Sequence, residues 1–187
     1  MIDVAYYLSR ASDFQLHPLG FYYLREAVGD ISHRRLHIWD DHGTLSQEND
    51  RHSHSFEIRS EVLIGCLCSE VLSFAEAFEG AEQEYQVFHE KSHSRIAATG
   101  RRGSLELVCK FETPAGAQYN LNAGVVHRIV VQQRPCVTML TTIEKGAPIF
   151  VYGAKPEEQP FDRRRVNAQE LARVTAILKS LDRPREN

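Results

Sequence analysis

The sequence predicts a mainly β fold, a sandwich or barrel of short strands with a short helix before it and a longer one after it. Short runs rich in Val, Ile, Leu, Phe and Tyr recur from Phe21 to Tyr152 with polar turns between them, which is the signature of antiparallel sandwiches and barrels. In residues 31–39 the pattern alternates, setting Leu36 and Ile38 on one face and Arg35, His37 and Trp39 on the other. Beyond residue 166 the period lengthens to that of a helix. Leu171, Val174, Ile177, Leu178 and Leu181 then form one apolar stripe.

Each element follows in order. Residues 2–12 read as the short helix, and 20–28 as a strand ending at the Gly29-Asp30 turn. Residues 31–39 are the second strand, and the polar stretch 40–51 is a loop leading into His52. Residues 61–74, dense in Val, Leu and Ile, make a strong strand that passes Gly65. Further strands are expected at 85–89, 105–112, 118–121, 126–131, 137–143 and 148–152. The stretch 76–102 is long enough to hold an extra hairpin or a lid over the barrel mouth, and its His89 and His93 read as surface residues. In the tail, Asn167 is an N-cap with Glu170 at the third helical position. The helix at 167–181 is expected to pack on the outside of the barrel or on a partner subunit.

A chain of 187 residues with 42% hydrophobic content can bury one sizeable core, so a single domain over 1–187 is expected, its barrel at 20–153. A net charge of -3 supplies no field for nucleic acid, and Arg163-Arg164-Arg165 reads as solvated surface. There is no apolar run of membrane-spanning length and the first residues lack the features of a secretory signal, so a cytoplasmic protein is expected. Cys66, Cys68, Cys109 and Cys136 lie in apolar runs without the second pair that a structural zinc site wants, and read as reduced core thiols.

The chemistry lies in two distant segments. Successive strand residues face opposite ways, so His52 and His54 of His52-Ser53-His54 project from one face and can aim imidazole nitrogens at one ion. His127 is the third candidate ligand. It starts an apolar strand after the turn Asn122-Ala123-Gly124.

These segments resemble the two motifs of the cupin superfamily. His52, His54 and Gly65 fit the first, and Gly116, Gly124 and His127 keep the spacing of the second, with Asn122 in place of its Pro and Val131 in place of its Asn. The resemblance implies a double-stranded β-helix, or jelly-roll barrel, around one divalent metal ion. The family's glutamate ligand falls on Ile58, and Glu57 is one residue out of phase. A one-residue slip turns a side chain to the other face, so the ligand set reads as three neutral histidines unless a β-bulge returns Glu57 to the site.

Within the superfamily the chain is most similar to the cysteine dioxygenase branch, over roughly residues 20–145. That branch carries a Tyr-x-Arg strand ahead of its H-x-H, matched here by Tyr23-Leu24-Arg25, in which the Arg grips the substrate carboxylate. Arg suits such two-pronged recognition. Two features of the branch are missing: Thr138-Met139-Leu140-Thr141-Thr142 has neither the His nor the Tyr of its Ser, His and Tyr series, and Ile58 stands where some members have a cross-linking cysteine.

The resemblance implies a dioxygenase using Fe(II), or Ni(II) or Mn(II), on an amino thiol or amino acid such as cysteine, with dioxygen as co-substrate. Arg25 or Arg35 would anchor a carboxylate, and Tyr23 or Tyr119 would donate a hydrogen bond to bound oxygen. A cupin lyase or isomerase, with Tyr or Glu57 as base, and a non-catalytic module for small anions are the alternatives. The expected partners are small molecules, with no nucleic acid or membrane, and a homodimer is possible.

Overall fold

The computed structural model describes residues 2–17, 19–42, 50–79, 82–89, 94–153 and 164–182. Helix α1, Val4–Ser9, starts at Asp3, whose side chain accepts from the Tyr6 amide at 2.9 Å, and leads into a 3-10 turn at Ala11–Asp13. Nine strands follow among the described residues: β1 Gln15–His17, β2 Phe21–Ala27, β3 Ser32–Trp39, β4 Phe56–Glu76, β5 Glu82–His89, β6 Ser94–Pro114, β7 Gln118–Leu121, β8 Val126–Glu144 and β9 Ile149–Gly153. Helix α2, Ala168–Ser180, comes after them.

The strands form one curled antiparallel sheet in the order β1-β2-β3-β8-β4-β6-β5-β9, with β7 on β4. Backbone hydrogen bonds then close a ring. The Tyr152 amide of β9 donates to the Arg51 carbonyl at 3.1 Å and the Ser53 amide donates to the Phe150 carbonyl at 2.9 Å, while His52 and His127 exchange bonds of 3.1 and 2.9 Å on the other side. Residues 51–53 therefore link β9 to the start of β8. A closed ring leaves its strands no unpaired edge there.

The alternation in β2 and β3 divides two cores, as the sequence predicts for β3. Tyr22, Leu24, Leu36 and Ile38 face outward and pack with Tyr7, Phe14 and the α2 residues Val174 and Leu178. Phe21, Tyr23 and Trp39 face inward, against Val62, Leu67 and Cys136. A third cluster joins Ile58, Leu121 and Leu140 with Phe56, Val71, Tyr119 and Val125. The helix stripe thus covers the outer face of the sheet. Arg173 fastens it, its guanidinium donating to Asp40 at 2.7 Å and to the Tyr22 hydroxyl at 2.9 Å.

Three strands are longer than their sequences indicate, β4 and β6 having 21 residues each and β8 having 19. The expected break between 131 and 137 rests on Gln132-Gln133-Arg134-Pro135, a polar stretch with proline, yet β8 runs through it because β4 stays paired alongside. Register shifts between Val62 and Leu67 absorb the irregularity. Gly65 makes the close approach possible: its φ is 80°, and a Cβ there would lie 2.5 Å from the Gln133 carbonyl oxygen and 2.6 Å from that of Pro135. Only glycine meets both conditions.

Other expectations shift. The stretch 76–102 does contribute a hairpin, since β5 pairs with the first half of β6, and His89 is exposed while His93 lies outside the described residues. Most of the loop expected at 40–51 also lies outside them. All four cysteines are free, but Cys109 is exposed and Cys66 half-buried, so only Cys68 and Cys136 are core thiols. An apolar neighbourhood in sequence does not bury a residue when β6 turns that stretch toward solvent. Arg164 and Arg165 are exposed and paired, with Glu170 and Asp13 respectively, and Arg163 lies outside the described residues.

The capping box of α2 is complete. The Asn167 side chain accepts from the Glu170 amide at 2.9 Å, and the Glu170 carboxylate accepts from the Asn167 amide at 2.8 Å and from both terminal nitrogens of Arg164 at 2.7 Å. The Arg164 bonds hold the Glu170 carboxyl below its ordinary value of 4.5. A carboxyl lowered on folding stabilises the native state above its unfolded value, and that contribution is lost as pH falls through the folded value. Urea melts should therefore show Glu170→Gln less stable than wild type by on the order of 1 kcal/mol at neutral pH, the exposure of Arg164 limiting the gain, with the gap closing in acid. A gap of constant size across the acid range contradicts this role for Glu170.

Candidate metal centre

The ring closure places the histidines. His52 and His127 sit directly opposite each other as a bonded antiparallel pair, an arrangement that sets two side chains on the same face a few ångströms apart. Ser53 turns the other way. It is fully buried, and its hydroxyl accepts from the Phe150 amide at 2.9 Å, so His54 returns to the face of His52. The turn before β8 is bound in as well, the Gly124 amide donating to the His54 carbonyl at 2.8 Å. As a result one nitrogen from each of the three rings lies within 4.8 Å of the others, with His127 buried and His52 and His54 half-buried. Ring centroids are 4.7, 4.8 and 5.0 Å apart.

Backbone carbonyls fix two tautomers. Nδ1 of His52 lies 2.9 Å from the Asp50 carbonyl and Nδ1 of His127 lies 3.2 Å from that of Val125. A carbonyl can only accept, so each Nδ1 carries the proton and each Nε2 keeps its lone pair. Burial lowers all three histidines, His127 to about 3, and His54 is lowered further by its two histidine neighbours and Arg35. They are therefore neutral at pH 7. The His54 ring stacks on Phe56 at 4.5 Å and 17°. Three convergent neutral imidazoles, two of them with the lone pair fixed on Nε2, fit a divalent cation.

Glu57 is not among them. Residues 56–62 pair with β8 without a register shift, so no bulge re-aims the carboxylate, which bonds Arg59 at 2.9 Å and lies 3.8 Å from Lys145. None of the cysteines joins the cluster among the described residues.

Sheet register aligns the other residues singled out in the sequence. Arg25, Arg35, Leu140, Ser60 and Tyr119 are successive partners across β2, β3, β8, β4 and β7, and Tyr23 lies in the neighbouring row opposite His37. Arg35 reaches toward the histidines, its guanidinium carbon 4.6 Å from the centre of the Phe56 ring that carries His54. Arg25 is turned elsewhere: it is exposed, 2.8 Å from His33 Nε2, and lines a surface crevice with Arg10, Asp13 and Arg165. The Tyr23 hydroxyl donates to Gln15 at 2.7 Å. Tyr119 packs among Ile58, Leu121 and Leu140, and burial pushes its phenol up to about 12. Phe56, Asp50 and Val125 shape the site as well, although neither motif singles them out. The last two had a signal, since each stands two residues before a histidine ligand candidate, where an extended chain returns its carbonyl to the ring.

No protein-family model matches the chain, and no curated protein does. Among solved structures it is similar to an oxalate oxidase in complex with the substrate analogue glycolate, at 14% identity over 88% of this chain and 71% of that one, with a TM-score of 0.41. It is also similar to an oxalate decarboxylase variant from Bacillus subtilis, at 12% identity and a TM-score of 0.40, over 79% of this chain and 29% of that one. A third is the hydroxypropylphosphonic acid epoxidase from S. wedmorenis, at 11% identity and a TM-score of 0.34, over 69% of this chain and 53% of that one. The chain thus spans less than a third of the decarboxylase and about half of the epoxidase. Likeness this distant assigns no family, and the site rests on its own geometry.

Elemental analysis of purified protein checks that geometry. Near-stoichiometric metal is expected in wild type and in Glu57→Gln, and its loss in His54→Ala and His127→Ala. Retention by both histidine variants, or loss in Glu57→Gln alone, contradicts the three-histidine set.

Proposed function

We propose that His52, His54 and His127 hold one divalent metal ion, Fe(II) foremost with Ni(II) or Mn(II) as alternatives, and that the site oxygenates a small anionic molecule, an amino thiol or amino acid such as cysteine, with dioxygen as co-substrate. The observation that carries this reading is the donor set: three neutral imidazoles with no carboxylate among them. The bound ion would supply positions for substrate and dioxygen, with its full positive charge uncompensated by the ligands.

The remaining work falls to the chain. Arg35, beside Phe56 and close enough to act on His54 electrostatically, is the anchor for a substrate carboxylate. Arg25 is the weaker candidate, since it is exposed and faces His33. Tyr119 keeps its proton at neutral pH and so can only donate or accept a hydrogen bond, which suits it to steady a bound oxygen. The Tyr23 hydroxyl is already engaged by Gln15. Phe56, Ile58, Leu121, Leu140 and Val125 supply an apolar wall that limits water. A lyase or isomerase would need a base, and Glu57, considered for that role, is held by Arg59 instead.

Oxygen uptake by metal-loaded protein, measured with a panel of amino thiols and amino acids, tests this reading. Uptake should depend on both metal and substrate, and Arg35→Ala should lower kcat/KM for carboxylate substrates by the equivalent of about 2 to 5 kcal/mol while changing it little for analogues without the carboxylate. Substrate turnover that proceeds equally well without oxygen contradicts the oxygenase and favours the lyase or isomerase.

A further inference from the structure

Outside the three rings, an ion pair joins the two segments that carry them. Asp50 Oδ2 lies 2.7 Å from Arg128 Nε, with the Asp50 side chain 11% exposed and that of Arg128 41%. Asp50 stands two residues before His52, and Arg128 follows His127. The Asp50 carbonyl is also the acceptor for His52 Nδ1, at 2.9 Å. Holding the Asp50 side chain therefore holds the group that orients the first imidazole.

The pair is built into a charged row. Arg128 also lies 3.8 Å from Glu70, its partner across β4 and β8, and Glu70 lies 3.2 Å from Lys110 of β6. Arg51 Nε lies 3.9 Å from the other Asp50 oxygen. The Asp50 and Arg128 atoms are close but off-axis for a hydrogen bond, so the attraction is chiefly electrostatic. Its low exposure on the Asp50 side limits screening by solvent.

The geometry points to Asp50 and Arg128 as positioning residues for the metal centre, a clamp that fixes the His52 ring by locking its carbonyl acceptor to the strand of His127. This rests on reading the three histidines as metal ligands. Groups that orient ligands in this way typically change metal affinity by about 10- to 100-fold when they are removed. Neither residue belongs to the three-histidine cluster. The clamp's effect is on binding of the metal itself.

The test uses Co(II) alone, titrated into metal-free full-length protein against a chromophoric chelator, with thermal melts and circular dichroism run alongside. Asp50→Asn and Arg128→Ala should weaken Co(II) binding by about 10- to 100-fold and alter the visible Co(II) spectrum at saturation, while Arg128→Lys and the charge swap D50R/R128D recover part of the affinity. Glu82→Gln, which breaks the neighbouring Arg51–Glu82 pair but leaves the His52 acceptor alone, should bind as wild type does. If His54→Ala binds Co(II) normally, the metal reading itself fails. If His54→Ala abolishes binding but Asp50→Asn and Arg128→Ala match wild type, or Glu82→Gln weakens binding as much as they do, the clamp is overturned and the metal reading stands.

Discussion

The two hydrogen bonds that His52 and His127 exchange, 3.1 and 2.9 Å, join the ends of the strand ring and set the distance between two imidazoles in one step. Residue 52 has β9 on one side and β8 on the other, so it cannot shift without opening the ring. The third ring follows from strand parity, because Ser53 is tied to β9 and His54 must return to the inner face. The flat stack of His54 on Phe56 and the Gly124 bond to its carbonyl then hold it from both sides. Fold closure and histidine spacing are thus the same constraint. Glycine at 65 serves it from a distance, since its missing side chain lets β4 pass close to β8 and stay paired with it from Phe56 to Leu72.

Electrostatics completes what the backbone begins. An imidazole proton directed to a carbonyl at Nδ1 leaves a lone pair on the opposite nitrogen, and burial keeps that nitrogen unprotonated at neutral pH. The apolar cluster beneath supplies the burial, while Arg35 brings a positive charge to its border. A cation held only by neutral ligands would add to that charge, which makes the interior a place for anions. Glu57, on the opposite face, does not offset it.

Much of this was legible in the residues because it depends on period. The alternation of Leu36 and Ile38 with Arg35, His37 and Trp39, the capping box at Asn167 and Glu170, the H-x-H parity and the phase of Glu57 are local, and local geometry transmits them faithfully. The lengths of β4, β6 and β8 were not legible, because a polar stretch with Pro135 reads as a turn until its partner strand is known. Neither was the exposure of Cys109, nor the hold of Arg173 on Asp40, 133 residues apart in sequence. The contrast between Arg25 and Arg35 has the same origin. The two are direct cross-strand partners, and what lies beyond each, His33 for one and Phe56 for the other, comes from tertiary packing.

X-ray absorption spectroscopy of the metal-loaded protein examines the central claim most directly, since it counts the imidazoles around the ion. The account predicts three histidine nitrogens in the first shell of wild type, the remaining positions taken by light oxygen donors, and an unchanged spectrum in Glu57→Gln. A shell with fewer than three imidazoles, or one that changes when Glu57 loses its charge, would contradict it.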